Sequence, residues 1–130
     1  MNLKNLTNKC LISAIGLSSI ASGFFAFASP TLADTVLRNA EWRINIGNEN
    51  SWNGVNGTGN LTYRGCDTKN RCISLRNGTI TCRDGVCTKA WRNGEYSYAI
   101  TSPVTQNGNA PSTLTVRKGA SVIVRSTGLR

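Results

Sequence analysis

Apolar and polar residues alternate in short runs along this chain, and turn-forming residues interrupt the runs every few positions. A period of two is the pattern of a strand with one face buried. "EWRINI" puts Trp42, Ile44 and Ile46 on one side, with Arg43 and Asn45 on the other. "LTYR" alternates Leu61 and Tyr63 with Thr62 and Arg64. "STLTVRKGASVIVR" predicts a hairpin turning at Lys118-Gly119, with Leu114, Val116 and Ile123 in the core. The intervening "GNENSWNGVNGTGN" (47–60) is too rich in Gly and Asn for a packed element and reads as a flexible loop. No segment sustains a helical period. The pattern predicts an all-β domain, a meander of about eight short antiparallel strands. Such a meander needs its edges closed or covered, so a small up-and-down barrel is expected, with a two-sheet sandwich as the alternative.

The N-terminal residues stand outside that pattern. Lys4 and Lys9 precede an uncharged run of apolar and small residues, Cys10 to Ala28, which is the layout of an export signal. Cleavage is expected after Ala33, because Pro30 breaks the helix just before "TLA"; "AFA" ending at Ala28 is the alternative. The run is about long enough for an uncleaved anchor, the competing reading. The expectation is therefore a signal peptide at 1–33 and one domain at 34–130, secreted or periplasmic, monomeric, with no membrane span after cleavage.

All three Phe and the one Met fall in the signal, so the domain must build its core from Ile, Leu, Val, three Trp and three Tyr. That stock is modest, and small domains with modest cores are commonly stapled. Without Cys10, four cysteines remain in a chain bound for an oxidising compartment.

The cysteines sit in an internal repeat of 16 residues. Cys66 aligns with Cys82, and "RNG" at 76–78 aligns with "RNG" at 92–94. Asn-Gly between alternating runs is a strong hairpin signal. The repeat is accordingly read as two hairpins, 66–81 and 82–97, turning at Asn77-Gly78 and Asn93-Gly94. In that geometry Leu75, Ile80, Ile73 and Cys82 share one face, while Cys72, Ser74, Thr79 and Thr81 take the other. Trp91 then stands opposite Tyr96, and Glu95 opposite Arg92. Cys72 and Cys82 fall on opposite faces and cannot bond. The pairing expected is Cys66–Cys72 with Cys82–Cys87; the alternative is Cys66–Cys82 with Cys72–Cys87. Five- and four-residue gaps are too wide for typical zinc knuckles, and Cys-x-x-Cys is missing, so neither a metal nor a redox role is expected.

Charge changes the picture most. The formal net charge is +9, and Lys4 and Lys9 leave with the signal, so 34–130 carries +7. Seven basic residues cluster between positions 64 and 92: Arg64, Lys69, Arg71, Arg76, Arg83, Lys89 and Arg92. Adjacent hairpins would merge them into one patch for an anionic partner. That partner is expected to be an anionic polysaccharide, envelope or protein surface, ahead of nucleic acid.

The chain has no His, which removes Ser-His-Asp and Cys-His nucleophiles. Asp67 and Asp84 read as turn residues. No catalytic residue and no cofactor are expected. The expected function is a non-catalytic binding module, with two alternatives. One is a protease inhibitor presenting Lys69, Arg71 or Arg83 on a disulfide loop; the other is a barrel that binds a small ligand. Asn56, Asn60 and Asn77 head N-x-S/T sequons, relevant only in a glycosylating host.

Overall fold

A computed structural model describes residues 34–130; the expected signal peptide lies outside the described residues. Eight antiparallel strands follow one another in a single sheet whose spatial order is the chain order. They are β1 (Thr35–Arg38), β2 (Trp42–Gly47), β3 (Thr58–Asp67), β4 (Cys72–Arg83), β5 (Val86–Asn93), β6 (Tyr96–Pro103), β7 (Ser112–Lys118) and β8 (Ser121–Leu129). The sheet curls until β1 meets β8. Arg38 N–H donates to Arg130 O at 2.6 Å, and Arg130 N–H returns a bond to Arg38 O at 3.0 Å. Beside this seam the Asn39 amide donates to Ser126 Oγ and to Thr127 O, both at 2.8 Å. The result is the nearly closed, barrel-like meander that the alternation predicted.

Inward residues are those the period of two selects. Ile44, Ile46, Leu61, Tyr63, Leu75, Ile80, Trp91, Ile100, Leu114, Val116 and Leu129 form the buried core. Ile123 does not join it. In β8, Val124 stands opposite Val116 but Val122 stands opposite Arg117, so Ile123 is the extra residue of a bulge. It is left 51% exposed, and Val124 packs inward instead.

The hairpin reading of the first repeat unit is overturned, while the second unit does turn back as a hairpin, one residue later than expected. Asn77-Gly78 lies in the middle of the twelve-residue strand β4 rather than at a turn. Two residues there, Arg76 and Asn77, stand against Thr62 alone on β3, between the pairs Tyr63↔Leu75 and Leu61↔Gly78. Asn77 takes φ 58°, a left-handed conformation that Asn tolerates. One extra residue reverses the alternation just as a two-residue turn would. The faces therefore come out as expected: Ile73, Leu75, Ile80 and Cys82 turn inward, and Cys72, Ser74, Thr79 and Thr81 outward.

The turn signal that operates is Asp84-Gly85. It joins Arg83 to Val86, with positive φ at both residues (52° and 75°), as a type I′ hairpin requires. Further on, the turn is Gly94-Glu95, one residue beyond Asn93-Gly94, so Asn93 pairs with Tyr96 and Trp91 with Tyr98. Glu95 consequently meets Lys118 of the next hairpin, at 4.0 Å, instead of Arg92. The last hairpin likewise turns one residue later than expected, at Gly119-Ala120, with Lys118 opposite Ser121.

Gly78 is where packing decides the sequence. It is buried, and a Cβ there would fall on the indole of Trp91, which lies across it from β5. The indole N–H passes over Gly78 to donate to Leu61 O at 3.0 Å. Trp91 is 1% exposed, so that bond satisfies a donor which would otherwise be stranded.

Both disulfides are the expected local ones, Cys66–Cys72 and Cys82–Cys87. Each joins residues directly opposite on neighbouring strands, β3 with β4 and β4 with β5. Cys66–Cys72 lies on the outer face, and Cys82 packs against the core.

Gly78→Ala should destabilise the domain by roughly 1–3 kcal/mol through overpacking against Trp91, whereas Asn77→Gly should be close to neutral; urea midpoints of the two variants decide. Replacing Cys82 and Cys87 together by Ser should cost about 2 kcal/mol by the loop-entropy argument, and an unchanged midpoint would show that the turn alone holds this hairpin.

Candidate functional site

The seven basic residues expected to form one patch are distributed by the barrel over five places. Arg64 and Arg76 point outward on β3 and β4 and line one shallow groove. Lys69 and Arg71 lie in the β3–β4 connection and Arg83 at the β4–β5 turn, at opposite ends of β4. Arg92 faces out from β5 opposite Ser97, which in turn stands opposite Arg117 on β7. Lys89 faces inward, in register with Ile80 and Ile100. Its ammonium meets Glu49 at 2.6 Å, and its side chain is 18% exposed. Lys89 is a structural ion pair, and its inward position removes it from any outer patch.

Glu49 belongs to the Gly/Asn-rich connection between β2 and β3, which is ordered rather than loose. A 3₁₀ turn at Glu49–Ser51 opens it, and the Asn48 amide donates to Asn60 O at 2.8 Å. Trp52 packs on the core and donates its indole N–H to Val55 O at 2.9 Å. Asn56 pairs with the Cys82 backbone twice, accepting from its N–H at 2.9 Å and donating to its C=O at 3.1 Å. Side-chain amides here replace the ladder bonds that the chain gives up. Composition alone suggested mobility because it does not reveal such pairings.

On the outer face of β1 to β4, register assembles a basic surface that includes two residues outside the expected set. Arg38 on β1 stands directly opposite Arg43 on β2. Arg43 stands opposite Cys66, and Asn45 opposite Arg64. Arg43, Asn45, Arg64, Asp67, Asn70 and the Cys66–Cys72 bridge line a concavity of about 500 Å³. Arg64 also lines the neighbouring groove with Arg76 and Asp34, about 280 Å³. Among the described residues, none of Arg38, Arg43, Arg64 and Arg76 is in an ion pair. Arg43 was findable, because it occupies an outward position of the predicted strand "EWRINI"; Arg38 lies before the first run read as a strand. What placed them beside Arg64 was pairing register, which a single sequence does not specify.

Asp67 does not neutralise this surface. Its carboxylate accepts the backbone N–H groups of Arg71 and Lys69, at 3.0 and 2.9 Å, and the Arg71 Nε–H at 2.7 Å. The bond from the Arg71 backbone is the main cause holding its pKa below the ordinary carboxylate value, helped by the Arg71 side chain and the Lys69 backbone. Asp67 thus closes its own loop as an Asx turn. Arg71 is tied down in the same contact, within a tight turn. That geometry does not favour Lys69 and Arg71 as an extended, substrate-like loop.

A second concavity opens at the end of the barrel where β2, β4 and β6 begin. Its walls include Trp42, Ile73, Tyr96, Tyr98 and Val124, with Tyr63 at the bottom, and its volume is about 270 Å³. The Tyr63 ring centroid lies 5.0 Å from that of Trp91 and 5.8 Å from that of Tyr98. Both spacings are typical of favourable aromatic pairs.

No family model, no curated protein and no solved structure matches this chain. The two disulfides fit an extracellular or periplasmic setting. Among the described residues no helix is long and apolar enough to cross a membrane.

Burial raises the pKa of Tyr63 and, less strongly, that of Tyr98, with neighbouring tyrosines adding to each. A phenol whose folded pKa is raised contributes its full stability below the unfolded value, near 10, and loses it as pH climbs further. The unfolding free energy should therefore hold level up to about pH 10 and fall above it, with Tyr63 ionising only as the barrel opens. Ultraviolet titration of Tyr63→Phe against the parent checks this. A Tyr63 signal that titrates within the intact fold would contradict it.

Proposed function

We propose that this protein is an exported, non-catalytic binding module, and that the outer face of β1 to β4 takes an anionic polysaccharide or similar envelope polyanion. The observation that carries this reading is the direct opposition of Arg38 and Arg43, with Arg64 one register step away. Like charges opposite one another on a sheet are unfavourable unless a counter-charge sits between them. A polyanion supplies that counter-charge, and planar guanidinium groups suit bidentate contact with carboxylate or sulfate. The concavity between Arg43 and Arg64 gives such a group a place to sit, and Asn45 and Asn70 add neutral hydrogen-bonding partners. Of the seven residues expected from sequence, Arg64 and Arg76 stay in this surface; Arg83 and Arg92 lie away from it.

Immobilised heparin provides the test. Retention should fall steeply with salt, and Arg43→Gln with Arg64→Gln should lower the slope of log affinity against log salt by about 2. Arg83→Gln with Arg92→Gln should leave the slope nearly unchanged. Equal losses from both pairs would reduce the effect to net charge and remove the proposed face.

A further inference from the structure

The two ends of the barrel are built differently. At one end the 48–57 connection folds against the strands and sends Trp52 onto the core. At the other, the strands are joined by short turns, and half-buried Trp42, Tyr96 and Tyr98 surround the opening to Tyr63. The apolar interior is thus left accessible there.

Tyr63 shows that the opening is more than imperfect packing. The residue is 2% exposed, and its hydroxyl makes no hydrogen bond among the described residues. Yet no side-chain polar atom among them is both sealed from solvent and unpartnered, so this hydroxyl meets the cavity. A buried phenol normally finds a partner. Here the space for that partner lies in the mouth.

Gly65 preserves that space. It faces inward two residues beyond Tyr63, its φ is one that any residue adopts, and a Cβ there would fall on the Tyr63 hydroxyl. Conformation does not call for glycine at this position; the position of the hydroxyl does. An alanine would force the phenol ring aside and close the bottom of the cavity.

We infer that this mouth is a binding site for a free small molecule with a planar ring and a hydrogen-bonding substituent, the ring lying among Trp42, Tyr96 and Tyr98 and the substituent meeting the Tyr63 hydroxyl. The volume of about 270 Å³ lies just below the usual range of ligand pockets, which limits the ligand to one or two rings and excludes a long acyl chain. The site is separate from the basic outer face, and neither reading rests on the other.

The probes are phenol and toluene, rings of similar size that differ in the hydroxyl. Each is titrated into the oxidised protein while the Trp42 indole and Gly65 amide signals are followed by NMR. Phenol should move both signals saturably and bind more tightly than toluene. Tyr63→Phe, which removes only the unpartnered oxygen and should melt within a few degrees of the parent, should weaken phenol about five- to tenfold, as expected for one hydrogen bond. It should leave toluene unchanged. Gly65→Ala should weaken both rings. The inference is overturned if neither ring gives saturable shifts, or if Tyr63→Phe changes phenol and toluene alike. It is also overturned if the mouth signals follow protein concentration instead of ring concentration, which would assign the mouth to a second copy of the chain.

Discussion

The fold depends on one side chain crossing two strands. Trp91 projects from β5, lies over Gly78 of β4, and donates its indole N–H to Leu61 O of β3. This contact brings together the largest apolar surface in the core and one of its few interior polar groups. The ring can lie there only because β4 has no Cβ beneath it. The hydrogen bond is made only if β3, β4 and β5 keep one register. A slip of one residue would turn Trp91 to solvent and present Ala90 or Arg92 in its place. The cost of such a slip is the cost of exposing a tryptophan, so this contact selects the register.

The bulge beside Gly78 follows from the same constraint. For Gly78 to lie under Trp91 while Leu75 and Ile73 also face inward, β4 must place two successive residues outside, and Arg76 and Asn77 are those residues. The left-handed conformation of Asn77 absorbs the change in direction. A residue spent on core phase thereby delivers Arg76 to the outer face beside Arg64. The charge arrangement on the outside is in this sense a consequence of how the aromatic core is seated.

Much of the fold was legible because alternation reports directly which residues face inward. Strand number, meander order, the inward set of β2 and β3, and both disulfides come from that signal and from cysteine spacing. The Asn-Gly at 77–78 misled because a bulge and a two-residue turn reverse alternation equally, and a sequence window cannot tell them apart. The turn chemistry that did apply, Asp84-Gly85, lies within the cysteine loop, where Asp84 already reads as a turn residue. Ile123 was misplaced for a related reason: it is itself the extra residue of a bulge in β8, and the inward position passes to Val124. The candidate sites were less legible than the fold. Assembling Arg38, Arg43 and Arg64 requires knowing which strands are neighbours and in what register. Seeing why Gly65 is a glycine requires knowing where the Tyr63 hydroxyl points.

Strand β3 is the wall shared by both candidate sites. Tyr63 and Gly65 face inward to the mouth, while Arg64 between them and Cys66 after them face the outer groove. Four consecutive residues thus serve two surfaces, and a period of two keeps the surfaces chemically distinct: mostly aromatic and apolar at the mouth, where Arg71 supplies the one charged side chain of the lining, and cationic outside. Such an arrangement leaves the strand no freedom to slide. It is held from within by the Leu61–Trp91 bond and from outside by the Cys66–Cys72 bridge, one near each end of the segment. The outer bridge borders the groove lined by Arg43 and Arg64 and ties β3 to β4 directly after Gly65. Its contribution is therefore better understood as register control for Tyr63 to Cys66 than as stability alone.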